Sequence, residues 1–462
     1  MENIFINREK ELAKLKEMKN KRFFLVVSGR RRIGKTALLK KAFPGAYYLF
    51  IWPNKSINWL TQELAKENNI PEFRNFRDFL SYMLDQNKNL IIDEFQNISS
   101  IDKSIYGEIQ EIIDDRKFKG KSLNLAVAGS SYSLMNKVFN DVASPLYGRR
   151  THEIRVSHLP IKDLLKWIKM PLRDFIEIWS IFEGVPYYYE LIDKNKSSIE
   201  NIRELLISKN STLQDEGNAV LSIEFGAQSK TYNTILTAIS EGKTKLNEIA
   251  SVFEDKTNIV IKYLETLRKE FSLVRRITPI LDDIKKSKSG RYGINDNFLN
   301  FWFYYIEKNR NYIEQDRFNE LESFFMSNFN SYVGKTFEKF IISLIKDNLI
   351  DEFAKFEFSK VGGQWGNFRG ENGKQVYEID ICAVNEKTKE ILFGECKWQE
   401  KVNSLSVLNE LKDKINYVRW ENEKRKESYA VFARSFSKKV GEFEGRKVYC
   451  FDLKDIEKRL KS

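Results

Sequence analysis

An eight-residue segment, Gly29 to Thr36, carries glycines, a lysine and a hydroxyl at the spacing that binds phosphate groups. It fits the pattern G-x-x-x-x-G-K-[ST] and lies between an apolar run and a helical pattern. The glycines let backbone N–H groups close around phosphate oxygens at the start of a helix. Lys35 is expected to reach the β and γ phosphates of a nucleotide, and Thr36 to hold Mg²⁺. The predicted nucleotide contacts of this loop are Gly29, Arg30, Arg31, Arg32, Ile33, Gly34, Lys35 and Thr36. The alternative interpretation is a glycine turn with a chance lysine.

Two acids, Asp93 and Glu94, follow the apolar run Leu-Ile-Ile. In a parallel sheet, ligands bind at the edge where the strands end. Asp93 is therefore a candidate Mg²⁺ ligand, and Glu94 a candidate base for the water that attacks the γ-phosphate. Ser130, after another apolar run, is a candidate sensor of that phosphate if its strand lies between the other two. The alternatives are an acid pair that caps a helix and an ordinary turn serine.

A second set of chemical groups occurs near the carboxyl end. Asp380 and the pair Glu395 and Lys397 lie in two runs separated by a polar turn, which predicts a β-hairpin. Alternation along the strands places these side chains on one face. Carboxylates bind magnesium, and a lysine can position water for attack on a phosphodiester. Glu338, on an upstream helical pattern, is a further candidate ligand. The alternative is a solvated, charged hairpin or a nuclease fold that has lost its activity.

Composition limits the remaining possibilities. The chain has 462 residues and a net charge of +12, which favours a polyanionic partner such as nucleic acid, with a membrane surface as second choice. Two histidines and three cysteines nearly exclude a histidine zinc site and a disulfide framework. No apolar run reaches the ~20 residues of a membrane span, and no signal peptide is predicted. A cytoplasmic protein is therefore expected.

The elements that must position these groups follow an α/β pattern. Apolar runs alternate with helical patterns over the first 160 residues, which predicts a parallel sheet buried on both faces and covered by helices. The strand of Ser130 is expected between the strand of the phosphate loop and the strand of Asp93. The predicted strands are 23–27, 46–52, 89–93, 123–128 and 152–159.

The rest of the chain is expected to form further units. Amphipathic helical patterns predict a helical lid, and three short helices followed by a basic hairpin predict a winged helix that could contact DNA. In its third helix Ile259, Ile261, Leu264 and Leu267 are expected to face a core. The predicted outward cations of that helix are Lys256, Lys262, Arg268 and Lys269, and the basic wing residues are Arg275, Arg276, Lys285, Lys286, Lys288 and Arg291. The predicted units are an ATPase domain (1–160), a lid (161–226), a winged helix (227–305), a helical connector (306–328) and a nuclease-like α/β domain (329–462).

Several segments together resemble the archaeal ATPase family, a branch of P-loop NTPases similar to the STAND and AAA+ groups. They are NREKEL, SGRRRIGKTALL, LIIDEFQ, VAGSSYSLM, SPLYGRR and EGVPYYY, in that order over the first half of the chain. The resemblance implies that Arg8 and Glu9 precede the nucleotide-binding fold and that Gly184 and Pro186 form a turn near the base of the bound nucleotide. It also makes Arg149 and Arg150 candidate arginine fingers; the alternative is that they are solvated or acid-paired.

The carboxyl-terminal set, with Glu378 beside it, resembles the PD-(D/E)xK nuclease superfamily. The resemblance implies a restriction-endonuclease-like fold, such as commonly follows the archaeal ATPase module. Ile379 stands where the superfamily motif has proline, a frequent departure.

The function expected from these features is Mg²⁺-dependent ATP hydrolysis, coupled through the winged helix to a nuclease-like domain that acts on DNA. The protein could form a homo-oligomer if an arginine finger acts in trans. The alternative from another class is a nucleotide-controlled scaffold or signalling switch whose carboxyl-terminal fold binds a partner without cutting. A kinase is a third interpretation, although Glu94 beside Asp93 favours water as the nucleophile.

Overall fold

The computed structural model describes residues 6, 8–18, 22–86, 88–225, 229–253, 257–370 and 373–461. Among them, the amino-terminal part alternates strands and helices, as the sequence predicts. Its elements are α1 (Glu9–Lys16), β1 (Phe23–Ser28), α2 (Lys35–Ala42), β2 (Tyr47–Phe50), α3 (Ile57–Asn68), α4 (Phe76–Asp85), β3 (Leu90–Asp93), α5 (Ile98–Ile101), α6 (Ser104–Phe118), β4 (Asn124–Gly129), α7 (Tyr132–Phe139) and β5 (His152–Arg155).

The five strands of this part form one parallel sheet, in the order β2-β3-β4-β1-β5. The predicted position of the Ser130 strand, between the phosphate-loop strand and the Asp93 strand, is confirmed. Successive residues of β1 pack on opposite sides: Leu25 and Val27 lie in one apolar core, whereas Phe24 and Val26 lie in another. The centre of the sheet is therefore buried on both faces, and its strands end together at one edge.

A helical region follows the sheet and leads into a small hairpin. Its elements are α8 (Ile161–Ile168), α9 (Leu172–Phe182), α10 (Pro186–Glu190), α11 (Ser198–Ile202), α12 (Glu216–Phe225), α13 (Ser229–Ser240), α14 (Leu246–Ala250), α15 (Thr257–Lys269), β6 (Val274–Ile277), β7 (Arg291–Ile294), α16 (Asn297–Phe301) and α17 (Arg310–Glu314). Strands β6 and β7 pair antiparallel, so the predicted basic hairpin is confirmed. The wing comprises β6, β7 and residues 278–290, which connect the two strands.

The inward face of α15 differs from the prediction. Val260, Leu264 and Leu267 are buried, whereas Ile259 is 50% and Ile261 is 40% exposed. Positions 260, 264 and 267 follow the helical repeat along one stripe, and the two isoleucines flank it, because residues one apart point in different directions on a helix. The expectation that Ile259 and Ile261 face a core is therefore wrong. Lys256 lies outside the described residues.

The carboxyl-terminal part is built on a mixed sheet. Its elements are α18 (Phe318–Lys346), α19 (Asp351–Ala354), β8 (Lys360–Gly370), β9 (Gly373–Asn385), β10 (Glu390–Lys397), β11 (Val402–Asn403), α20 (Ser404–Ile415), β12 (Lys426–Ala433), β13 (Phe436–Lys438), β14 (Glu442–Phe443), β15 (Arg446–Phe451) and α21 (Leu453–Lys461). The main sheet has the order β14-β15-β12-β10-β9-β8. Strands β9 and β10 pair antiparallel, which confirms the hairpin predicted to carry Asp380 and Glu395.

One apolar core extends through most of the molecule. It joins one face of the first sheet to the helical region, to α18 and to one face of the second sheet; representative members are Leu25, Phe175, Phe340 and Phe432. Helix α18 also continues unbroken past residue 328, where the sequence predicted a limit between two units. No helix in the described ranges is long and apolar enough to cross a bilayer.

Candidate functional site

The phosphate-binding loop connects β1 to α2 at the edge where the parallel strands end. Gly34 has φ 94°, a left-handed conformation that glycine adopts without steric cost, and it immediately precedes α2. A Cβ on Gly29 would lie 2.7 Å from the carbonyl oxygen of Val156, so only glycine fits there. Both glycines are thus required by the backbone, as the motif predicts.

The lysine of the loop is folded onto the loop itself. Lys35 is buried, and its Nζ donates to the carbonyl oxygens of Gly29 at 2.9 Å and Arg30 at 3.1 Å. Burial lowers the pKa of Lys35, although Glu94 and Asp93 act in the opposite direction. The ammonium group therefore lies inside the loop, where phosphate oxygens would offer stronger partners than neutral carbonyls.

Oxygen ligands suited to Mg²⁺ meet beside the loop. Thr36 Oγ1 donates to Asp93 Oδ2 at 2.5 Å, and the hydroxyl of Tyr48 donates to the same oxygen at 2.9 Å. A threonine hydroxyl at the start of a helix and a carboxylate at the end of a strand fit a hard cation that keeps several waters and also binds phosphate oxygens. The sequence motifs predict Thr36 and Asp93 at this place but not Tyr48. The feature that could have indicated Tyr48 is its position near the end of β2, the strand paired with β3.

Two side chains hold Glu94. Its Oε2 accepts hydrogen bonds from Ser130 Oγ at 2.6 Å and from Gln96 Nε2 at 2.5 Å. Ser130 reaches it because β4, which ends just before this serine, lies directly beside β3. Glu94 has φ 52°, a left-handed conformation that is uncommon outside glycine. The structure thus brings Ser130 to Glu94, and it adds Gln96, which sequence analysis missed.

Two arginines of the loop are paired with acids that are distant in sequence. Arg30 forms an ion pair with Asp296, and its guanidinium also donates to the hydroxyl of Tyr188 at 3.3 Å. Arg32 pairs with Glu216 at 2.8 Å and stacks over the ring of Tyr187. Tyr188 joins the two pairs, since its hydroxyl also donates to Glu216 at 3.4 Å. These partners were not predicted, because no local sequence pattern connects them to the loop.

The other two predicted loop residues have different environments. Ile33 is buried, and its carbonyl oxygen accepts a hydrogen bond from Arg8 at 3.1 Å. Arg31 lines a cavity of about 330 Å³ that lies over the ends of the strands. Ser130, His158 and Asp296 also line this cavity, so it connects the phosphate loop to the region that follows the hairpin.

The candidate arginine fingers are bound within their own domain. Arg149 pairs with Asp114 at 2.9 Å. Arg150 pairs with Glu153 at 2.9 Å and donates to the carbonyl oxygen of Phe139 at 2.7 Å. These contacts agree with the alternative interpretation of acid-paired arginines, and their role in catalysis stays a prediction.

The turn before α10 lies against the segment that follows the last strand of the first sheet. Pro186 begins α10, where its missing N–H costs nothing. A Cβ on Gly184 would lie 2.6 Å from the carbonyl oxygen of Leu159, and the Gly184 carbonyl accepts a hydrogen bond from the Leu159 N–H at 2.8 Å. This close approach explains the glycine of the turn.

The carboxyl-terminal candidates also come together. Asp380 on β9 accepts a hydrogen bond from the Cys396 N–H on β10 at 2.9 Å. Burial, together with Glu395, raises the pKa of Asp380 to about 7. Burial and the nearby acids Asp380, Glu378 and Glu395 raise the pKa of Glu338 to about 9. Glu338 on α18 thus belongs to the same cluster of carboxylates.

Both oxygens of the most buried carboxylate in this cluster, Glu395, are paired with lysines. Glu395 is 2% exposed; its Oε1 lies 2.7 Å from Lys414 Nζ and its Oε2 lies 3.3 Å from Lys397 Nζ. Lys414 comes from α20 and was missed by sequence analysis. Among the residues that the structure describes, no three histidine, cysteine, aspartate or glutamate side chains are arranged to hold a metal. While Glu395 is paired with both lysines, the carboxylates of the cluster are not arranged as a three-ligand metal site, and a metal would require the release of Glu395.

The wing packs against the carboxyl-terminal sheet. Arg291 pairs with Glu378 at 2.6 Å and stacks over the ring of Trp365. Trp365 donates from its indole N–H to the carbonyl oxygen of Ser289 at 2.9 Å. Arg276 folds back onto the residues that connect the two strands and donates to the Ser287 carbonyl. These two basic residues are therefore engaged within the protein, while Lys285, Lys286 and Lys288 remain exposed.

Comparison with known proteins agrees with this reading of the first sheet. Residues 21–165 match the family AAA_14, described as an AAA domain. Residues 302–411 match the family DUF234, described as archaea bacterial proteins of unknown function.

Relatives were found among whole proteins and among solved structures. The chain is 32% identical over 468 residues to the uncharacterized protein MJECL04 of Methanocaldococcus jannaschii, a match that covers 98% of this chain and 100% of that one. The Walker-type ATPase PABY2304 of Pyrococcus abyssi is 17% identical, with a TM-score of 0.47 over 65% of this chain and 96% of that one. The ORC1 protein of Aeropyrum pernix, solved in complex with DNA, is 11% identical, with a TM-score of 0.34 over 69% and 94%. The chain therefore belongs to the family of the M. jannaschii protein, and within that family it carries a P-loop ATPase domain of the AAA type.

Proposed function

We propose that the protein binds ATP and hydrolyses it with Mg²⁺. The observation that carries this proposal is the meeting of Lys35, the Thr36–Asp93 pair and the Glu94–Ser130 pair at one edge of the first sheet. These groups supply a cation for the phosphates, oxygens for a metal and a carboxylate for the attacking water.

Each side chain has a defined task in this proposal. When ATP enters, Lys35 Nζ leaves the carbonyl oxygens of Gly29 and Arg30 and binds phosphate oxygens. Thr36 and Asp93 would hold Mg²⁺, which supplies electrostatic stabilisation of the charge on the transferred phosphoryl group. Glu94 orients the attacking water and accepts its proton, while Ser130 and Gln96 fix the direction of the carboxylate.

Phosphate release from ATP by the purified full chain tests this proposal. Lys35→Ala is expected to abolish hydrolysis because it removes the cation from the phosphates. Glu94→Gln should retain nucleotide binding and lose turnover, since the amide cannot accept the proton. Lys41→Ala, an exposed lysine on the same helix, is the matched control. Unchanged turnover in Lys35→Ala would overturn the assignment.

We further propose that the carboxyl-terminal cluster is a metal-dependent nuclease site that acts on DNA. Support comes from the shared location of Glu338, Asp380, Glu395 and Lys397 and from the exposed lysines of the wing, which packs beside Glu378. Exposed lysines suit contact with the phosphate backbone rather than with base edges. A metal could enter only after Glu395 is released from Lys397 or Lys414.

A cutting assay decides this second proposal. Supercoiled and single-stranded DNA are incubated with Mg²⁺ or Mn²⁺ and either the native chain or Asp380→Ala. Metal-dependent cutting that is lost in the variant supports a nuclease. Asp413→Ala, an exposed acid on α20, controls for a change of charge alone.

One observation favours the rival function, a nucleotide-controlled scaffold that cuts nothing. Both carboxylate oxygens of Glu395 are neutralised by lysines, an arrangement that is stable without a metal. In this reading the carboxyl-terminal fold binds a partner, and the assay above shows no cutting with any substrate or metal.

A further inference from the structure

Glu338 and Lys339, which are adjacent on α18, interact with two different groups of residues. Glu338 belongs to the carboxyl-terminal carboxylate cluster, where Asp380, Glu378 and Glu395 affect its ionisation. Lys339 instead pairs with Glu183 at 2.8 Å, in the turn before α10. Because adjacent residues are fixed on one helix, a displacement of either side chain's partners acts on the same backbone.

The contacts of Lys339 continue towards the phosphate loop. Its Nζ also donates to Asn297 Oδ1 at 2.8 Å. Asn297 directly follows Asp296, whose carboxylate pairs with Arg30 of the phosphate loop and caps the start of α16 by accepting from the Leu299 N–H at 2.9 Å. A continuous chain of charged and hydrogen-bonded groups thus connects the phosphate loop to α18.

A second series of contacts connects Lys339, through Glu183, to His158 beside the first sheet. Glu183 is buried and lies 3.4 Å from the ring of His158, which follows β5. Burial acts to raise the pKa of Glu183, but Lys339 and His158 outweigh it and lower that pKa well below its ordinary value. Glu183 therefore carries its charge at neutral pH. The removal of Lys339 would leave this buried charge without its ammonium partner, held by the ring of His158 and by the Asn297 N–H at 3.4 Å.

We expect the binding of ATP to disturb the ion pair between Arg30 and Asp296. The phosphates bring several negative charges to the loop that contains Arg30, and they compete with Asp296 for its guanidinium. Withdrawal of Arg30 leaves the Asp296 carboxylate without its strongest partner in a largely buried position, so the Asp296–Asn297 turn has to readjust. Asn297 holds Lys339, and α18 carries Glu338.

We propose that Lys339 is a positioning residue through which the nucleotide state of the phosphate loop controls the carboxyl-terminal carboxylate site. With the loop empty, Arg30 holds Asp296 and the site stays closed, with Glu395 paired to both lysines. With ATP bound, the chain of contacts loosens α18 around Glu338 and the site opens. This inference rests on the proposed binding of ATP, and it names the regulation of the second site.

Hydrogen exchange of the full chain measures the effect directly. Backbone amides of β10 are followed with and without a non-hydrolysable ATP analogue and Mg²⁺. Exchange in β10 is expected to accelerate by about fivefold or more on binding, a coupling of ordinary size. Lys339→Met should bind the analogue with little change but lose the acceleration, and Lys339→Arg should restore part of it. Lys335→Met, an exposed lysine on the same helix, should behave like the native protein.

A double variant distinguishes a loss of coupling from a failure to fold. Glu183→Gln with Lys339→Met removes both members of the buried pair, so no unpaired charge remains. If this folded variant binds the analogue and still accelerates exchange in β10, Lys339 does not carry the coupling and the inference is overturned. An absence of any acceleration in the native protein that binds the analogue overturns it as well.

Failure of the inference can be distinguished from failure of the proposed functions. If the native chain does not bind the analogue, the proposed ATP site itself is refuted. If acceleration occurs but DNA is never cut, the control by Lys339 stands and the nuclease proposal falls. If DNA is cut at the same rate with and without the analogue, the nuclease stands and the inference falls.

Discussion

Ser130 Oγ donates to Glu94 Oε2 at 2.6 Å, which fixes the carboxylate of the proposed catalytic base from the neighbouring strand. The serine does not need to touch the nucleotide to affect hydrolysis. It acts by limiting the directions in which the carboxylate can meet a water molecule.

Ser130→Ala should therefore lower kcat for ATP hydrolysis by about tenfold or more, the effect of losing a hydrogen bond to a charged group. KM should change little, because phosphate binding depends on Lys35 and the loop. Steady-state kinetics of Ser130→Ala and Ser130→Thr give the answer, since threonine keeps the hydroxyl. A change in KM with an unchanged kcat would contradict the role of Ser130 in positioning Glu94.

Tyr48→Phe tests the orientation of the Asp93 carboxylate. Burial and Asp93 both raise the pKa of Tyr48, so its hydroxyl remains a donor to Asp93 over the physiological range. Loss of this hydrogen bond should increase the Mg²⁺ concentration for half-maximal hydrolysis by roughly threefold to tenfold. The matched control is Tyr47→Phe on the same strand, for which the Mg²⁺ titration should not move.

Asp296→Asn should strengthen nucleotide binding. Asparagine can still cap the start of α16, but it no longer competes with phosphate for the guanidinium of Arg30. The Kd for ATP measured by calorimetry should fall by about twofold to fivefold, as expected when one ion-pair partner no longer competes for Arg30. Asp283→Asn, at an exposed position of the wing, should leave it unchanged. Weaker binding in Asp296→Asn would show that the pair supports the binding conformation of the loop.

Stability of the metal-free protein should depend on pH through the carboxyl-terminal cluster. The pKa of Asp380 is raised from 3.8 to about 7 and that of Glu338 from 4.5 to about 9, so the folded protein keeps protons that the unfolded chain has released. The free energy of unfolding therefore falls as pH rises through this interval. Stabilisation from the protonated acids is complete below pH 3.8 and is lost above about 9.

Asp380→Asn should remove part of this dependence. At pH 8 in EDTA, its Tm should exceed that of the native chain by roughly 2–4 °C, and the difference should shrink towards pH 5. Thermal unfolding at the two pH values measures it, with Asp413→Asn as the exposed control. An equal shift at both pH values would show that the titration of Asp380 is not the cause.

Local sequence patterns were sufficient for the phosphate loop and its sheet. The motif at Gly29 to Thr36 and the acids after β3 depend on short stretches of chain, and the strand order followed from the need to bring Ser130 to the phosphate. The hairpin of Asp380 and Glu395 was equally local. In each case the backbone requirement and the chemical group lie within a few residues of each other.

Partners from distant segments could not be predicted. Arg30 and Asp296 are far apart in sequence, and neither residue is unusual in its own neighbourhood. Lys414 resembles any other lysine of an amphipathic helix, yet it neutralises Glu395. The wrong prediction at Ile259 and Ile261 has a related cause. The sequence of α15 contains more than one possible apolar face, and the face that is buried, formed by Val260, Leu264 and Leu267, depends on contacts with distant segments.

The apolar core that runs from the first sheet through α18 to the second sheet has a consequence for work on fragments of this chain. A fragment that stops before Phe318 would uncover apolar faces that normally pack against α18, and aggregation would be the expected result. A fragment that begins there would lose the other side of the same core. The shared core should accordingly couple the unfolding of the two sheets, so that a probe placed in each sheet gives the same midpoint in heat or denaturant.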